Sequence, residues 1–196
     1  KVVVIDPRRT ETCDIADLHL PLKPGSDVAL FNSLLVALKR RGVIATDFVS
    51  SHTTGLEAAL SAAEASSLDA CGLPAEDIAT FFDWFCGVEK TVTLYSQGVN
   101  QSSAGVDKVN AIINCHLLTA RIGRPGMGPF SVTGQPNAMG GRETGGLANM
   151  LAAHMEIDNP VHREIVSAFW GSSRLAPKPG LKAVDMLRAV ADGRIK

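Results

Sequence analysis

Val2-Val3-Val4-Ile5 is an unbroken β-branched run closed by Asp6-Pro7. No polar residue alternates through it, so a strand built from it offers neither face to water. The run therefore predicts a parallel strand with helices packed over it. A second strand is predicted at residues 92–96, with helical crossover material between. The two strands are expected to lie side by side in one sheet.

Residues 18–22 alternate and predict a short strand, with Pro21 marking an edge position. Ser26 or Asp27 is predicted to cap a helix reaching about Arg41. Val28, Leu30, Phe31, Leu34, Leu35 and Leu38 form its apolar face, and Gly42 stops it. Further helices are predicted at 47–52 with Thr46 as cap, at 55–65, and from Pro74 to about 87. A long helix follows at 106–122, then a short one at 147–153. The last two are 160–170, capped by Asn159, and 183–192. Strand–helix alternation predicts the α/β class. Residues 123–146 are rich in Gly and Pro, show no period and are predicted to be an irregular functional loop.

Within that loop, Thr133-Gly-Gln-Pro-Asn-Ala-Met-Gly-Gly-Arg-Glu143 combines glycines with amide, hydroxyl, guanidinium and carboxylate groups. Gly lets a backbone approach a ligand closely, and the polar set suits a small anion or a cofactor. Taken alone, the stretch reads first as a surface loop with turn glycines.

A net charge of −1 gives no electrostatic case for nucleic acid or an anionic membrane. The apolar runs fall far short of a membrane span. No signal-peptide pattern opens the chain. Cys13, Cys71, Cys86 and Cys115 show no C-x-x-C spacing; reduced, mostly buried thiols and a cytoplasmic location are expected. The five histidines are scattered, so no metal ligands are expected within the chain. It opens inside a strand, without Met, and closes after a Gly helix stop; a piece of a larger polypeptide is expected.

Four strings, in order, resemble molybdopterin-dependent nitrate reductases of the dimethyl sulfoxide reductase superfamily. They are Val2-Val-Val-Ile-Asp-Pro-Arg-Arg-Thr-Glu-Thr12, Leu22-Lys-Pro-Gly-Ser-Asp-Val-Ala-Leu30, Tyr95-Ser-Gln-Gly-Val-Asn-Gln-Ser102 and Thr133-Gly-Gln-Pro-Asn-Ala-Met-Gly-Gly-Arg142. The third and fourth are most similar to cytoplasmic assimilatory enzymes. The resemblance spans nearly the whole chain. It implies a Rossmann-like parallel sheet flanked by helices, with a long Gly/Pro-rich active-site loop. It also implies three regions: 1–122 binding molybdopterin guanine dinucleotide, 123–146 the active-site loop, and 147–196 a helical C-terminal part.

The function implied is part of a molybdenum enzyme that reduces nitrate to nitrite, inactive as an isolated piece. The implied cofactor is molybdopterin guanine dinucleotide with Mo, plus a 4Fe-4S cluster held by upstream residues. The implied partners are the remaining domains, nitrate and an electron donor. Another superfamily oxidoreductase, such as a formate dehydrogenase, and a non-catalytic scaffold of the same fold stay as alternatives.

By residue type alone, Asp6, Arg8, Arg9 and Thr10 read either as a strand-ending turn with solvated arginines or as a nucleotide contact. The resemblance favours the contact. Gly25, Ser26 and Asp27 read as a helix cap, and the resemblance adds the nucleotide end of the cofactor. On that reading, Asp27→Asn lowers dinucleotide occupancy and spares the fold, because Asn caps as well as Asp. Gln97 and Gln101 are surface amides or, by resemblance, pterin or metal-pocket contacts; periplasmic relatives carry Met where Gln97 stands. Thr133 and Gln135 match positions near the metal, Thr133 standing where formate dehydrogenases carry Arg. Arg142 matches a guanidinium at the substrate funnel, with Glu143 beside it.

Overall fold

The computed structural model describes residues 1–134 and 137–196. It divides into two compact units, Lys1–Gly134 and Gln135–Lys196. The first unit carries strands β1 (Val3–Ile5), β2 (Leu18–Leu20), β3 (Val92–Tyr95) and β4 (Gly128–Ser131). Its helices are α1 (Asp27–Arg40), α2 (Thr46–His52), α3 (Leu56–Glu64), α4 (Ala75–Gly87), α5 (Gln97–Asn100) and α6 (Gly105–Leu118). The second unit carries α7 (Ala138–Glu143), α8 (Pro160–Trp170) and α9 (Ala183–Ala191).

The α/β class and the parallel pairing are as expected. The expected pairing of the first strand with that at 92–96 fails: β1 and β3 do not share a sheet. β1 pairs in parallel with β2, Val4 opposite His19, and β3 pairs in parallel with β4, Leu94 opposite Phe130. Each strand found a partner that its sequence hides. β4 reads Gly-Pro-Phe-Ser, which has little strand propensity, so pairing with β3 decides its conformation. A proline lacks the ladder donor and is tolerated at a sheet edge.

α1 is the spine of the first unit. Leu30, Phe31, Leu34, Leu35, Val36 and Leu38 are buried, and the helix packs on α6 and α3. Phe81, Phe82 and Phe85 of α4 join this core, with Phe31 and Phe81 edge to face at 6.3 Å. The Cys115 thiol donates to the Phe31 carbonyl at 3.2 Å, and burial pushes its pKa up. Cys13, Cys71 and Cys115 are buried, Cys86 is half-buried, and all four are free.

Helix ends follow their local chemistry. Gly42 N–H bonds Lys39 O and Val43 N–H bonds Leu38 O, with Gly42 at φ 70°, so a Schellman motif stops α1 where expected. α6 stops four residues earlier than the predicted 122. Ala120 takes φ 51° and the Arg121 N–H bonds His116 O, a Schellman end built on alanine. The predicted caps differ too. Thr46 lies inside α2 behind Ala45, and neither Ser26 nor Asp27 caps α1 through its side chain. Asn159 does cap α8, accepting from the amides of Val161 and His162.

The region 123–146 holds β4 and α7 and is not irregular throughout. The expected helix at 147–153 is absent. A bridge between Met150 and Glu156 closes a tight turn there, with Ala153 and His154 at positive φ. Leu151, Ile157 and Val166 form the small core of the second unit.

Arg121 is 5% exposed and lies 5.1 Å from the Phe85 ring centroid. Its guanidinium donates to the carbonyls of Phe85 and Cys86, at 2.6 and 3.4 Å, which end α4. Arg121→Met keeps the packing but orphans those carbonyls. A loss of about 2 kcal/mol is expected. Urea unfolding checks it, and an unchanged midpoint would remove the capping role.

Candidate functional site

The parallel register of β3 and β4 sets the carboxyl ends of both strands side by side. In α/β sheets, ligands gather at such ends. Ser96 alone separates β3 from α5, whose first residue is Gln97. A Cβ built on Gly134 would lie 3.6 Å from Gln97 Nε2, so the amide rests against the backbone leaving β4. Asn100 Nδ2 donates to Ser131 Oγ at 2.9 Å and ties the α5 turn to the end of β4. The structure thus brings Gln97 together with the Thr133–Gly134 segment. Gln101 follows α5 and is exposed, its backbone N–H donating to the Gln97 backbone carbonyl. Gln135 lies outside the described residues.

α6 begins hard against α5. A Cβ on Gly105 would sit 2.7 Å from the Asn100 carbonyl and 3.0 Å from that of Val99. Only glycine permits this approach, so the position of the Gln97–Gln101 turn is set by α6.

The second candidate set lies where α1 starts. Gly25 takes φ 89°, and a Cβ there would meet nothing within 4 Å, so the turn is open to approach. Ser26 is buried, and its hydroxyl donates to the Lys23 carbonyl at 2.6 Å. That bond tightens the turn and leaves the first amides of α1 without a side-chain cap. Asp27 is the first helical residue. Its Oδ2 lies 2.8 Å from Lys108 Nζ of α6, the two side chains being 19% and 7% exposed. Lys108 also donates to the Gly98 carbonyl in α5 at 3.2 Å.

Lys108 was missed in the sequence. The signal was present: Lys108 sits three, four and seven residues before the buried Ala111, Ile112 and Cys115. A charged residue on an apolar stripe needs a buried partner.

The third set follows β1. Asp6 Oδ1 accepts from the Arg8 amide at 2.7 Å, and the Arg8 guanidinium lies 3.9 Å away and exposed. His19 Nε2 bonds the Asp6 carbonyl at 2.9 Å and fixes the end of β1 against β2. Arg9 pairs with Asp14 at 2.9 Å on the surface. Thr10 precedes a 3-10 turn and rests 3.7 Å from the Cys13 sulfur.

Arg142 belongs to the second unit, in the last turn of α7, and is exposed, as is Glu143. The Asn137 side chain caps α7, accepting from the Gly140 amide at 3.1 Å. Gly145 N–H bonds Arg142 O, and Gly146 N–H bonds Gly141 O at 2.8 Å, a Schellman end with Gly145 at φ 80°. A Cβ on Gly145 would fall 2.7 Å from the Ala152 amide nitrogen. The guanidinium is therefore carried on a capped helical turn.

The comparisons agree with this architecture. A nitrate reductase of Klebsiella oxytoca is 52% identical over the whole chain, which covers 22% of that relative. A nitrate reductase of Synechocystis is 40% identical, again over the whole chain and 28% of the relative. The chain thus spans about a quarter of the length of these curated relatives. Among solved structures, acetylene hydratase from Pelobacter acetylenicus superposes with a TM-score of 0.52 at 25% identity. The match covers 60% of this chain and 16% of that one. The family description "molybdopterin oxidoreductase" matches residues 1–196 without a gap at either end. With candidate ligand groups gathered at strand ends and a helix start in an α/β fold, the chain belongs to the molybdopterin oxidoreductase family.

Proposed function

We propose that the full-length protein reduces nitrate to nitrite and that this chain holds one end of a molybdopterin guanine dinucleotide. The observation that supports this best is the β3–β4 register, which sets Gln97 against Gly134 beside Thr133. The donor set fits such a group. The uncapped first amides of α1, behind an open Gly25, suit a phosphate. Asp27 offers carboxylate oxygens to the N–H groups of a guanine, and Oδ2 keeps acceptor capacity beside Lys108. Arg8, exposed at the end of β1, is a second phosphate partner.

A bound molybdenum pterin supplies two-electron oxygen-atom transfer, by which nitrate, two electrons and two protons give nitrite and water. The side chains orient and attract. In the first unit, Gln97 and Thr133 are donor types suited to an anion; in the second unit, taken by itself, Arg142 carries a planar fork that matches a planar oxyanion. The 4Fe-4S cluster is assigned to residues outside this chain. Assimilatory use in the cytoplasm, with a separate electron donor, completes the reading. Among the described residues, no helix is long and apolar enough to cross a membrane.

Steady-state assays of the full-length enzyme with reduced dye test it. Nitrate should be consumed and formate left unoxidised; the reverse would overturn the assignment. Arg142→Ala should raise KM for nitrate by about tenfold or more, the cost of one charge-assisted bond. Molybdenum content should stay normal. Arg142→Lys should recover only part of the loss. Wild-type kinetics per bound molybdenum in Arg142→Ala would remove the residue from the substrate path.

A further inference from the structure

Lys108 bonds two of the candidate cofactor segments of the first unit. Its ammonium reaches Asp27 at the start of α1 and the Gly98 carbonyl, which lies between Gln97 and Gln101. It does so from inside the protein, 7% exposed, on a helix face otherwise made of Ala111, Ile112 and Cys115. An apolar residue at this stripe position would pack without desolvating a charge, and buried ion pairs are poor sources of net stability. What an ammonium adds is geometry. Its bonds to a carboxylate and a carbonyl fix the distance between the two segments. Gly105, with no room for a Cβ against Asn100, holds the same turn from the other side.

We propose that Lys108 is a positioning residue for the dinucleotide. It holds the Asp27 carboxylate in one rotamer and locks the Gln97–Gln101 turn at a fixed distance from it. Lys108 does not itself meet the ligand in this account; it acts through Asp27 and Gly98. One Asp27 oxygen faces Lys108, and Oδ1 remains for the ligand. The inference rests on the dinucleotide reading above.

The test uses the full-length enzyme with Lys108→Met and Lys108→Gln. The readout is guanosine monophosphate released by acid per mole of folded, gel-filtered protein, alongside the melting temperature. Lys108→Met should retain about tenfold less nucleotide. Lys108→Gln, which keeps an amide donor near Asp27, should fall between Met and wild type. A purely structural lysine would lower the melting temperature and leave the nucleotide content of the folded fraction unchanged. If Lys108→Met does not accumulate, Lys108→Gln carries the comparison. Wild-type nucleotide content in the folded variants overturns the inference alone. A wild-type enzyme that releases no guanosine monophosphate overturns the dinucleotide reading and the inference with it.

Discussion

Asp27→Ala is expected to destabilise the first unit by about 3–5 kcal/mol, the cost of leaving a buried charge without its partner. The carboxylate lies 2.8 Å from Lys108 Nζ, and the lysine side chain is only 7% exposed. With Asp27 gone, the ammonium keeps the Gly98 carbonyl, a dipole in place of a charge. The reverse truncation should cost less. Asp27 is 19% exposed and sits at the first position of α1, where the helix dipole favours an anion. Lys108→Met is therefore expected to cost about 1–2 kcal/mol. The double variant should cost less than the sum of the two, because it buries no unpaired ion. Urea unfolding of the four proteins measures this, and strictly additive losses would show that the pair is not coupled.

The Asp27–Lys108 pair bears on Asp27→Asn as a probe of cofactor binding. From the sequence, that change spares the fold, because Asn caps helices as well as Asp. In the structure Asp27 caps nothing and neutralises Lys108. Asn leaves an ammonium facing a neutral amide, so part of any lost occupancy reflects a weakened fold. Occupancy must be read on the folded fraction.

What was legible in the sequence was local. Asn159-Pro160 announces α8 because cap and first-turn proline act within one turn, and Gly42 ends α1 for the same reason. What stayed hidden depends on partners far along the chain. β4 is a strand because β3 lies beside it, and its Gly-Pro-Phe-Ser sequence gives no such instruction. β1 carries the strongest strand signal, yet nothing in Val-Val-Val-Ile names β2 as its neighbour in place of β3. α7 forms in a glycine-rich stretch because Asn137 caps it and Gly145-Gly146 close it. In the candidate site, the exposed or turn residues were readable as residue types. Lys108, which joins two of the segments, takes its role from its place on the buried face of α6 and not from its residue type.

His116 should make the fold acid-sensitive. The ring is fully buried, packs edge-on to Phe85 at 5.4 Å, and bonds Thr93 Oγ1 through Nε2 at 2.7 Å. Among the described residues, Nδ1 has no partner. The neutral tautomer that fits donates from Nε2 to Thr93 and leaves Nδ1 bare. A second proton would place a charge inside the core, close to the Arg121 guanidinium. Burial accordingly pulls the pKa down to about 4; a backbone hydrogen bond at Arg121 opposes the shift, and the charge of Arg121 adds to it. The unfolded chain takes up its proton near pH 6.5, and the fold only near pH 4. Between those values the unfolded state binds more protons, so stability falls as pH falls. The contribution is intact above about pH 6.5 and gone below about pH 4, ~3 kcal/mol in all. His116→Gln keeps an amide near Thr93 and cannot titrate. Unfolding free energies of wild type and variant, compared at pH 7 and pH 4, should differ by about that amount more at neutral pH than in acid. Parallel pH profiles would show that His116 does not remain neutral in the fold. Because Thr93 lies in β3, protonation would act two residues before Tyr95, where the chain turns into α5 and the Gln97 segment of the candidate site.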